Sequence, residues 1–398
     1  MSTPTPSVEK DAVPPPPPEP AAKPGRAWLS TLIETSVSIF AALIIGAVLI
    51  ALSDQDTLES ASYLFSYPAD FFANAWHAVW DSYASLVRGS VGSWGRISTT
   101  LERSAPMICA GLGVSLAFRA GLFNIGATGQ MTLGFLCAGY VGFAWDLPPF
   151  LHMVVALLAG LAGGAAWGAI AGVLKAKAGA HEVITTIMLN YLAGSVLLFA
   201  LSKDAFQRPN SDNTLSPPVA DTATFGSVAG THLGVILALV AALGVWWLLE
   251  RSTLGFELRA VGANPEAART AGMDVSRVFT MGMLLAGLLA GLASTMLVLG
   301  DHSSLSPTLA GTIGFDAITV ALLGRATPLG TVLAGLLFGA LSVGGVAMQA
   351  SAGTPKELAQ VLQALIVLFV AAPALVRGLI RMRGSAGEST VMAKGWGG

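Results

Sequence analysis

The segment RAGLFNIGATGQ, from Arg119 to Gln130, interrupts a strongly apolar sequence with three glycines, an asparagine, a threonine and a glutamine. Glycine in a helix interior costs about 1 kcal/mol relative to alanine, and an amide buried in lipid needs hydrogen-bond partners. The segment therefore predicts a broken helix. Broken backbone at membrane depth occurs only inside protein or along a water-filled cavity, and in transporters it marks substrate sites. The alternative is glycine-rich packing of one continuous helix against its neighbours.

The composition around this segment is that of an integral membrane protein. Of the 398 residues 54% are hydrophobic and 11% are charged, whereas about 25% are charged in a soluble domain. The formal net charge of -2, without a basic block, gives no indication of a nucleic-acid surface. Cys109 and Cys137 both lie in apolar runs, so we expect neither a disulfide nor a metal site.

The predicted fold class is an all-α polytopic membrane protein with about ten transmembrane helices, including broken or re-entrant segments, and a possible internal repeat. A crossing needs about 20 mostly apolar residues. The third and eighth segments contain polar breaks, and the eighth is too short to cross unless Ser303 to Thr312 re-enters the membrane before it. The ten segments are 35–52, 101–118, 126–143, 150–174, 183–201, 233–249, 279–299, 313–323, 329–348 and 358–376.

The distribution of positive charge predicts the orientation. Most of the 21 Lys and Arg residues fall on one side of the predicted spans, which places both termini in the cytoplasm. The expected organisation is a disordered Pro-rich cytoplasmic tail (1–34), a transmembrane domain (35–383) and a cytoplasmic tail (384–398). Within the domain we expect an aromatic extracytoplasmic segment at the membrane interface (54–95), an extracytoplasmic loop (203–231) and a cytoplasmic loop (250–277).

Two polar residues are outliers within the apolar spans. Asn190 lies about 12 Å into the span 183–201, near the bilayer centre. An amide there either faces a path or makes an interhelical hydrogen bond. Asp316 is the second outlier, and Thr312-Ile313-Gly314 beside it loosely echoes Asn124-Ile125-Gly126. Two such breaks in corresponding halves of a chain are what an internal repeat produces, and they point to a binding site.

Glycines at four-residue spacing predict close helix packing, because a face without side chains lets backbones approach. These glycines indicate a compact bundle and carry no information about substrate. They are Gly164, Gly168 and Gly172, then Gly287 and Gly291, then Gly335 and Gly339.

The cytoplasmic loop contains GANPEAARTAG at 262–272. Asn264 favours an N-cap, Pro265 suits the first helical position, and Glu266 complements the positive start of a helix. Gly272 can end the helix in the left-handed conformation. The stretch therefore predicts a short cytoplasmic helix, either a capped loop element or a lever moved by a cytoplasmic motor.

Enzymatic motifs are missing from the sequence. HEVIT at 181–185 begins like the zinc-protease motif HExxH, but Thr185 stands where the second histidine is required. The sequence has neither a GxSxG elbow nor a GxxxxGK[ST] phosphate loop. We therefore expect a transport subunit that is not an enzyme, with any ATP hydrolysis carried out by a partner.

Four motifs resemble the permease subunits of bacterial nucleoside ABC importers, within the wider group of ribose and branched-chain amino-acid permeases. They are RAGLFNIGATGQ, HEVITTIMLNY (181–191), GANPEAARTAG (262–272) and GFDAITVALLGR (314–325). The resemblance runs from about Tyr63 to Val376. It implies a type II importer-like fold in the bacterial plasma membrane. The implied partners are a second permease, a cytoplasmic ABC ATPase that binds ATP and Mg²⁺, and an extracytoplasmic substrate-binding protein; no cofactor is expected in this chain.

The resemblance also implies roles for individual residues. The substrate path would be lined by Asn124, Thr128 and Gln130, with Asn190, Phe315 and Asp316 as companions. Thr128 departs from many members of the family, which have glutamate there. Coupling to the ATPase would involve Asn264, Pro265, Glu266, Ala267, Ala268, Arg269 and Gly272.

A nucleoside offers ribose hydroxyls for hydrogen bonds with amides and a flat base for aromatic contact. Ribose or another simple sugar is the alternative cargo. An ion-coupled secondary transporter is the alternative class, and it would be expected to have acidic residues inside the membrane.

Overall fold

The computed structural model describes residues 24–209, 214–228, 230–300 and 304–371, and the side chains of these residues except 24–35, 228, 370 and 371. Fourteen α-helices make up most of the described residues, which confirms the predicted fold class. One short antiparallel hairpin, β1 (Ser227–Val228) with β2 (Thr231–His232), joins them. The helices are α1 (Pro24–Ser53), α2 (Gln55–Ala61), α3 (Pro68–Val91), α4 (Trp94–Arg119), α5 (Ala127–Ala144), α6 (Pro149–Ala178), α7 (Glu182–Leu201), α8 (Gly234–Arg251), α9 (Thr253–Ala263), α10 (Pro265–Thr270), α11 (Val275–Leu299), α12 (Ile313–Leu323), α13 (Pro328–Ala352) and α14 (Lys356–Ala371).

The ten predicted segments coincide with helices α1, α4 to α8 and α11 to α14, and residues 372–376 of the tenth lie outside the described residues. Six helices in the described ranges are long and apolar enough to cross a membrane by length and composition: α1, α6, α7, α8, α11 and α13. Helices α4 and α5 carry more polar residues, and most of their residues are buried by protein. The exact number of crossings stays a prediction.

The expected border of the amino-terminal tail differs from the structure. The backbone is helical from Pro24, eleven residues before the predicted span begins at Thr35. Proline is tolerated in the first turn of a helix, and after Gly25 no glycine or proline interrupts the sequence up to that span. The part of the predicted tail before Pro24 and the whole of the tail 384–398 lie outside the described residues.

A seam of glycines joins α6 to α11, which confirms the predicted packing surfaces. A Cβ added at Gly164 would lie 2.7 Å from the Cα of Gly291, so the two backbones touch without side chains between them. A second close approach joins α13 to α4. The facing pairs are Gly164 with Gly291, Gly168 with Gly287, Gly335 with Ile108, and Gly339 with Ser104.

The aromatic segment 54–95 folds into two helices, and the second of them, α3, packs along α13. Gly89 lies against Ala347, and Ser82 Oγ lies 2.6 Å from Thr354 Oγ1. Trp76 and Trp80 stack on each other with most of their surface exposed. The location of this segment at a membrane interface stays a prediction.

Helix α12 has only eleven residues, about 16 Å at 1.5 Å per residue, so it is too short to cross alone. The segment before it runs alongside α5. Leu305 packs on Gly139, whereas Gly314 packs on Thr128, eleven residues earlier in α5. Residues 304–312 therefore travel about 16 Å along α5 before α12 begins. This path favours a re-entrant segment.

Candidate functional site

The first break lies between α4 and α5, as the sequence predicts. Helix α4 ends at Arg119 and α5 begins at Ala127, with irregular backbone between them. Gly121 has a φ of 73°, in the left-handed region that favours glycine. A Cβ at Gly121 would also lie 3.0 Å from the Cα of Gly262. The turn out of α4 therefore needs glycine for both its conformation and its contact with α9.

Two buried amides close the break on itself. Asn124 Nδ2 donates to Gln130 Oε1 at 3.1 Å, and Gln130 Nε2 donates to Asn124 Oδ1 at 3.3 Å. The backbone N–H of Gly126 also donates to Asn124 Oδ1, at 2.9 Å. Both side chains are at most 2% exposed. The structure thus brings together two of the predicted path residues and pairs them with each other.

Asn190 ties α7 to the same break. The N–H of Gly129 donates to Asn190 Oδ1 at 2.8 Å, and Asn190 Nδ2 donates to the carbonyl oxygen of Ile125 at 2.9 Å. Of the two alternatives for this amide, the structure has the interhelical hydrogen bond. The amide satisfies two backbone groups that the interrupted helix cannot satisfy itself.

The second break reaches the first at Thr128. A Cβ at Gly314, in the first turn of α12, would lie 2.6 Å from the backbone nitrogen of Thr128. The start of α12 is therefore in contact with the first turn of α5, directly after the first break. The Thr128 Oγ1 atom is buried at this contact and has no hydrogen-bond partner in the described part of the chain.

Asp316 lines a polar cavity of about 340 Å³ between α4, α12, α13 and α14. Thr312 Oγ1 donates to Asp316 Oδ2 at 2.7 Å. Phe315 lies beside this cavity, 55% exposed on the surface of the subunit, and is not among its lining residues. The volume is within the range of small-molecule sites. The polar lining consists of Thr312, Asp316, Thr319, Ser342, Lys356, Gln360 and Gln363.

The sequence reasoning missed the contribution of α14. Lys356, Gln360 and Gln363 follow one another at spacings of four and three, which places them on one face of a helix. That spacing within an otherwise apolar segment was a usable signal. The face is directed at the cavity that Asp316 lines.

The cavity extends from one end of the bundle toward its middle. Along α14 its lining runs from Lys356, next to the turn between α13 and α14, to Val367. Eleven residues of helix correspond to about 16 Å. The lining also includes Thr312 and Asp316 at the start of α12, where Gly314 meets Thr128. The cavity therefore leads toward the level at which the two breaks meet.

A separate candidate surface is α10, and its local structure is the predicted one. Asn264 Oδ1 accepts hydrogen bonds from the N–H groups of Glu266 and Ala267 at 3.0 Å, and Pro265 is the first helical residue. Gly272 has a φ of 87°. Sequence reasoning missed α9, the helix that precedes it.

Helix α10 displays charge and is anchored by a small residue. The side chains of Glu266 and Arg269 are 78% and 61% exposed and form an ion pair at 2.8 Å. Ala268 is 4% exposed, and its carbonyl oxygen accepts a hydrogen bond from the N–H of Met273 at 3.0 Å. The exposed charges are available to a partner protein, while Ala268 holds the helix on the bundle.

Residues 96–371 match the family described as "Branched-chain amino acid transport system / permease component". The chain belongs to this permease family. The match covers both breaks, the polar cavity and α10, and it begins after α3. The permease is thus a multi-pass membrane component of a transport system, and the resemblance seen in its four motifs is confirmed.

Individual relatives carry different cargoes in their names. The guanosine ABC transporter permease protein NupP of Bacillus subtilis is 38% identical, over 78% of this chain and 91% of its own length. The glucose ABC transporter permease protein TsgB13 of Haloferax volcanii is 34% identical over 73% and 80%. The nucleoside ABC transporter permease protein NupB of Lactococcus lactis is 32% identical over 77% and 87%. No solved structure matches this permease.

Proposed function

We propose that this permease takes up nucleosides as one half of the membrane path of a bacterial ABC importer. The observation that carries the proposal is the polar cavity beside the start of α12, in a chain similar to permeases named for guanosine and nucleosides. Three helices contribute polar side chains to the cavity lining, and the cavity reaches toward the middle of the bundle. A purely structural gap between transmembrane helices has no need of a carboxylate and two amides.

The chemistry of the cavity suits a nucleoside. The Asp316 carboxylate can accept hydrogen bonds from the hydroxyls of ribose, and the amides of Gln360 and Gln363 can both donate to and accept from the edge of a base. Met107 and Phe338 supply apolar wall against which a flat base can lie. These residues provide both kinds of contact that a sugar joined to a base requires.

The six path residues named from the sequence divide into two roles in this proposal. Asn124, Gln130 and Asn190 hold the first break in shape, because their amide groups are already bonded to one another and to backbone. Thr128, Phe315 and Asp316 face the path. Phe315 is exposed on a single subunit, so a second permease would complete the wall beside it.

A second permease is part of the proposal for a further reason. Bacillus subtilis and Lactococcus lactis each have two relatives of this chain whose names carry the same cargo. We therefore propose a heterodimer of permeases in the bacterial plasma membrane, with the termini in the cytoplasm and a substrate-binding protein delivering nucleoside from outside. In this orientation the end of the polar cavity at Lys356 would lie on the outer side of the membrane.

Energy would come from a cytoplasmic ABC ATPase that binds ATP and Mg²⁺. We propose that α10, with the segment Asn264 to Gly272, is the coupling helix seated in a cleft of that ATPase. Its exposed Glu266–Arg269 pair offers directional charge contacts, and its connection to α11 carries movement into the bundle.

The experiment is uptake of labelled guanosine, ribose and glucose into vesicles that contain this permease with its second permease, ATPase and binding protein. We expect ATP-dependent guanosine uptake, its loss in Glu266→Arg, and a raised half-saturation concentration in Asp316→Asn. Glu257→Arg on α9 is the matched charge reversal outside α10. Normal membrane insertion of each variant is checked first.

Each alternative has its own outcome. Uptake that persists without the ATPase at a constant membrane potential would identify an ion-coupled carrier. Transport of sugar alone would leave the coupling intact and assign the cargo of the glucose relative. Unchanged uptake in Glu266→Arg would remove α10 as the coupling helix.

A further inference from the structure

A second cavity, of about 370 Å³, lies at the end of the bundle opposite the polar cavity. It is formed where α4 and α8 end, beside α9 and the start of α13. Three arginines line it, Arg119, Arg251 and Arg259, together with Trp246. Neither the path nor the coupling helix uses these residues.

The charge in this cavity is predominantly positive. Its one acidic lining residue is Glu250, which lies 3.6 Å from a guanidinium nitrogen of Arg259. Arg259 also donates to the carbonyl oxygen of Leu249, and Arg119 Nε donates to the carbonyl oxygen of Ala326 at 2.9 Å. The backbone thus fixes two of the arginines, while Arg251 stays exposed.

The outer rim of the cavity continues into an apolar surface. Trp246 is 47% exposed and Leu329 is 72% exposed, and both line the cavity. Farther along the same helices, Leu243 on α8 and Leu333 on α13 are 66% and 59% exposed. On membrane helices such side chains face lipid, and tryptophan favours the level of the headgroups. The basic cavity therefore lies where headgroups and acyl chains meet.

We propose that this cavity binds the headgroup of an anionic phospholipid, with its acyl chains along the exposed faces of α8 and α13. Guanidinium groups bind phosphate through charge-assisted hydrogen bonds, and basic pockets between transmembrane helices on the cytoplasmic side recognise anionic headgroups. A soluble anion would account for the arginines but would leave the apolar rim without a function. The proposal does not depend on the cargo.

The test is native mass spectrometry of the purified full chain in detergent, titrated with phosphatidylglycerol or with phosphatidylcholine of the same acyl chains. We expect one phosphatidylglycerol to bind at least ten-fold more tightly than phosphatidylcholine. Arg251→Gln should weaken phosphatidylglycerol binding about five-fold, since one basic residue near an anionic lipid contributes about that factor. Arg277→Gln, an exposed arginine in the first turn of α11, is the matched control and should have no effect.

A second variant tests the cavity without changing an arginine, in case the arginine variants fail to fold. Leu329→Asp places a like charge at the exposed rim and should weaken phosphatidylglycerol while leaving phosphatidylcholine unchanged. Equal binding of the two lipids would overturn the proposal. So would binding of inorganic phosphate with the affinity of phosphatidylglycerol, or loss of ATPase assembly in Arg251→Gln with unchanged lipid binding, which would make the cavity a protein contact.

Discussion

The two breaks share a sequence echo, and the second lies against α5 directly after the first, but they differ in what their polar groups do. In the first break, residues 120–126, the amides of Asn124, Gln130 and Asn190 are bonded to one another or to backbone. In the second, around Asp316, the polar side chains line a cavity of about 340 Å³. The first break is therefore a fixed framework, whereas the polar groups of the second face open space.

The difference arises from what packs on each break. Helix α7 supplies an amide to the backbone of the first break, and Gln130 is close enough to close a reciprocal pair. At the second break the Asp316 carboxylate accepts a local hydrogen bond, from Thr312. A complementary amide nearby thus decides whether the polar groups of a break bond to one another or stay open to the cavity.

The largest expected effect is on the framework. Asn190→Leu removes the partners of the Gly129 N–H and the Ile125 carbonyl, and each buried unsatisfied group costs about 1–3 kcal/mol. We expect the free energy of unfolding in detergent to fall by about 2–6 kcal/mol. Tyr191→Leu, at a neighbouring residue that is 73% exposed, is the control and should change it little. Equal loss in both variants would contradict a special role for the amide.

The contact between the breaks gives the next effect. Gly314→Val would drive a side chain into Thr128, and overpacking of this kind costs about 1–3 kcal/mol. Thermal unfolding of the purified chain measures the loss. Gly194→Val, at a helical glycine with open space where the Cβ would lie, is the control. A stable Gly314→Val protein would show that α12 can move away from α5 freely.

Local rules explain how much of this architecture the sequence could predict. The break, the glycine seam and the capped α10 follow from residue types at short spacing, and all three are present. The spacing of Gln360 and Gln363 could have indicated a polar face on α14, but not the cavity, because that depends on α14 facing Asp316, more than 40 positions away. Nor could the partners of Asn190 be predicted, since both alternatives fit a polar residue at that depth. The apolar stretch Ser36–Ser53 agrees with the first predicted span, whereas the helical backbone before it was not predicted, because hydropathy marks the span and not the charged and small residues that precede it.

A substitution at the second break should lower transport and leave the stability of the protein unchanged. Asp316→Asn removes the charge of a half-buried carboxylate but retains its shape, and hydrogen bonds to charged groups contribute about 1.5–3 kcal/mol. We expect guanosine uptake at low concentration to fall about ten-fold or more. Asp204→Asn, in the exposed loop after α7, controls for general loss of charge. Unchanged uptake with unchanged stability would remove Asp316 from the path.

The smallest expected effect is a difference in stability between substitutions of two threonines on α5. Thr128 Oγ1 has no hydrogen-bond partner among the described residues, whereas Thr132 Oγ1 donates to the carbonyl oxygen of Thr128 at 2.8 Å. Thr132→Val should lower stability by about 1 kcal/mol, and Thr128→Val should leave it unchanged or raise it. Paired denaturation curves measure the difference. A change in uptake in Thr128→Val alone would place that hydroxyl on the path.

The glycine seam between α6 and α11 has a mechanical consequence. Side chains between two helices can change rotamer and so accommodate a small shift of one helix against the other. Backbone packed directly on backbone cannot adjust in this way. Helix α11 begins three residues after Gly272, and the carbonyl oxygen of Leu299, its last residue, accepts a hydrogen bond from Phe225 in the loop at the far end. A displacement that begins at α10 would therefore reach the opposite face of the bundle almost undiminished, with α6 and α11 moving as one rod.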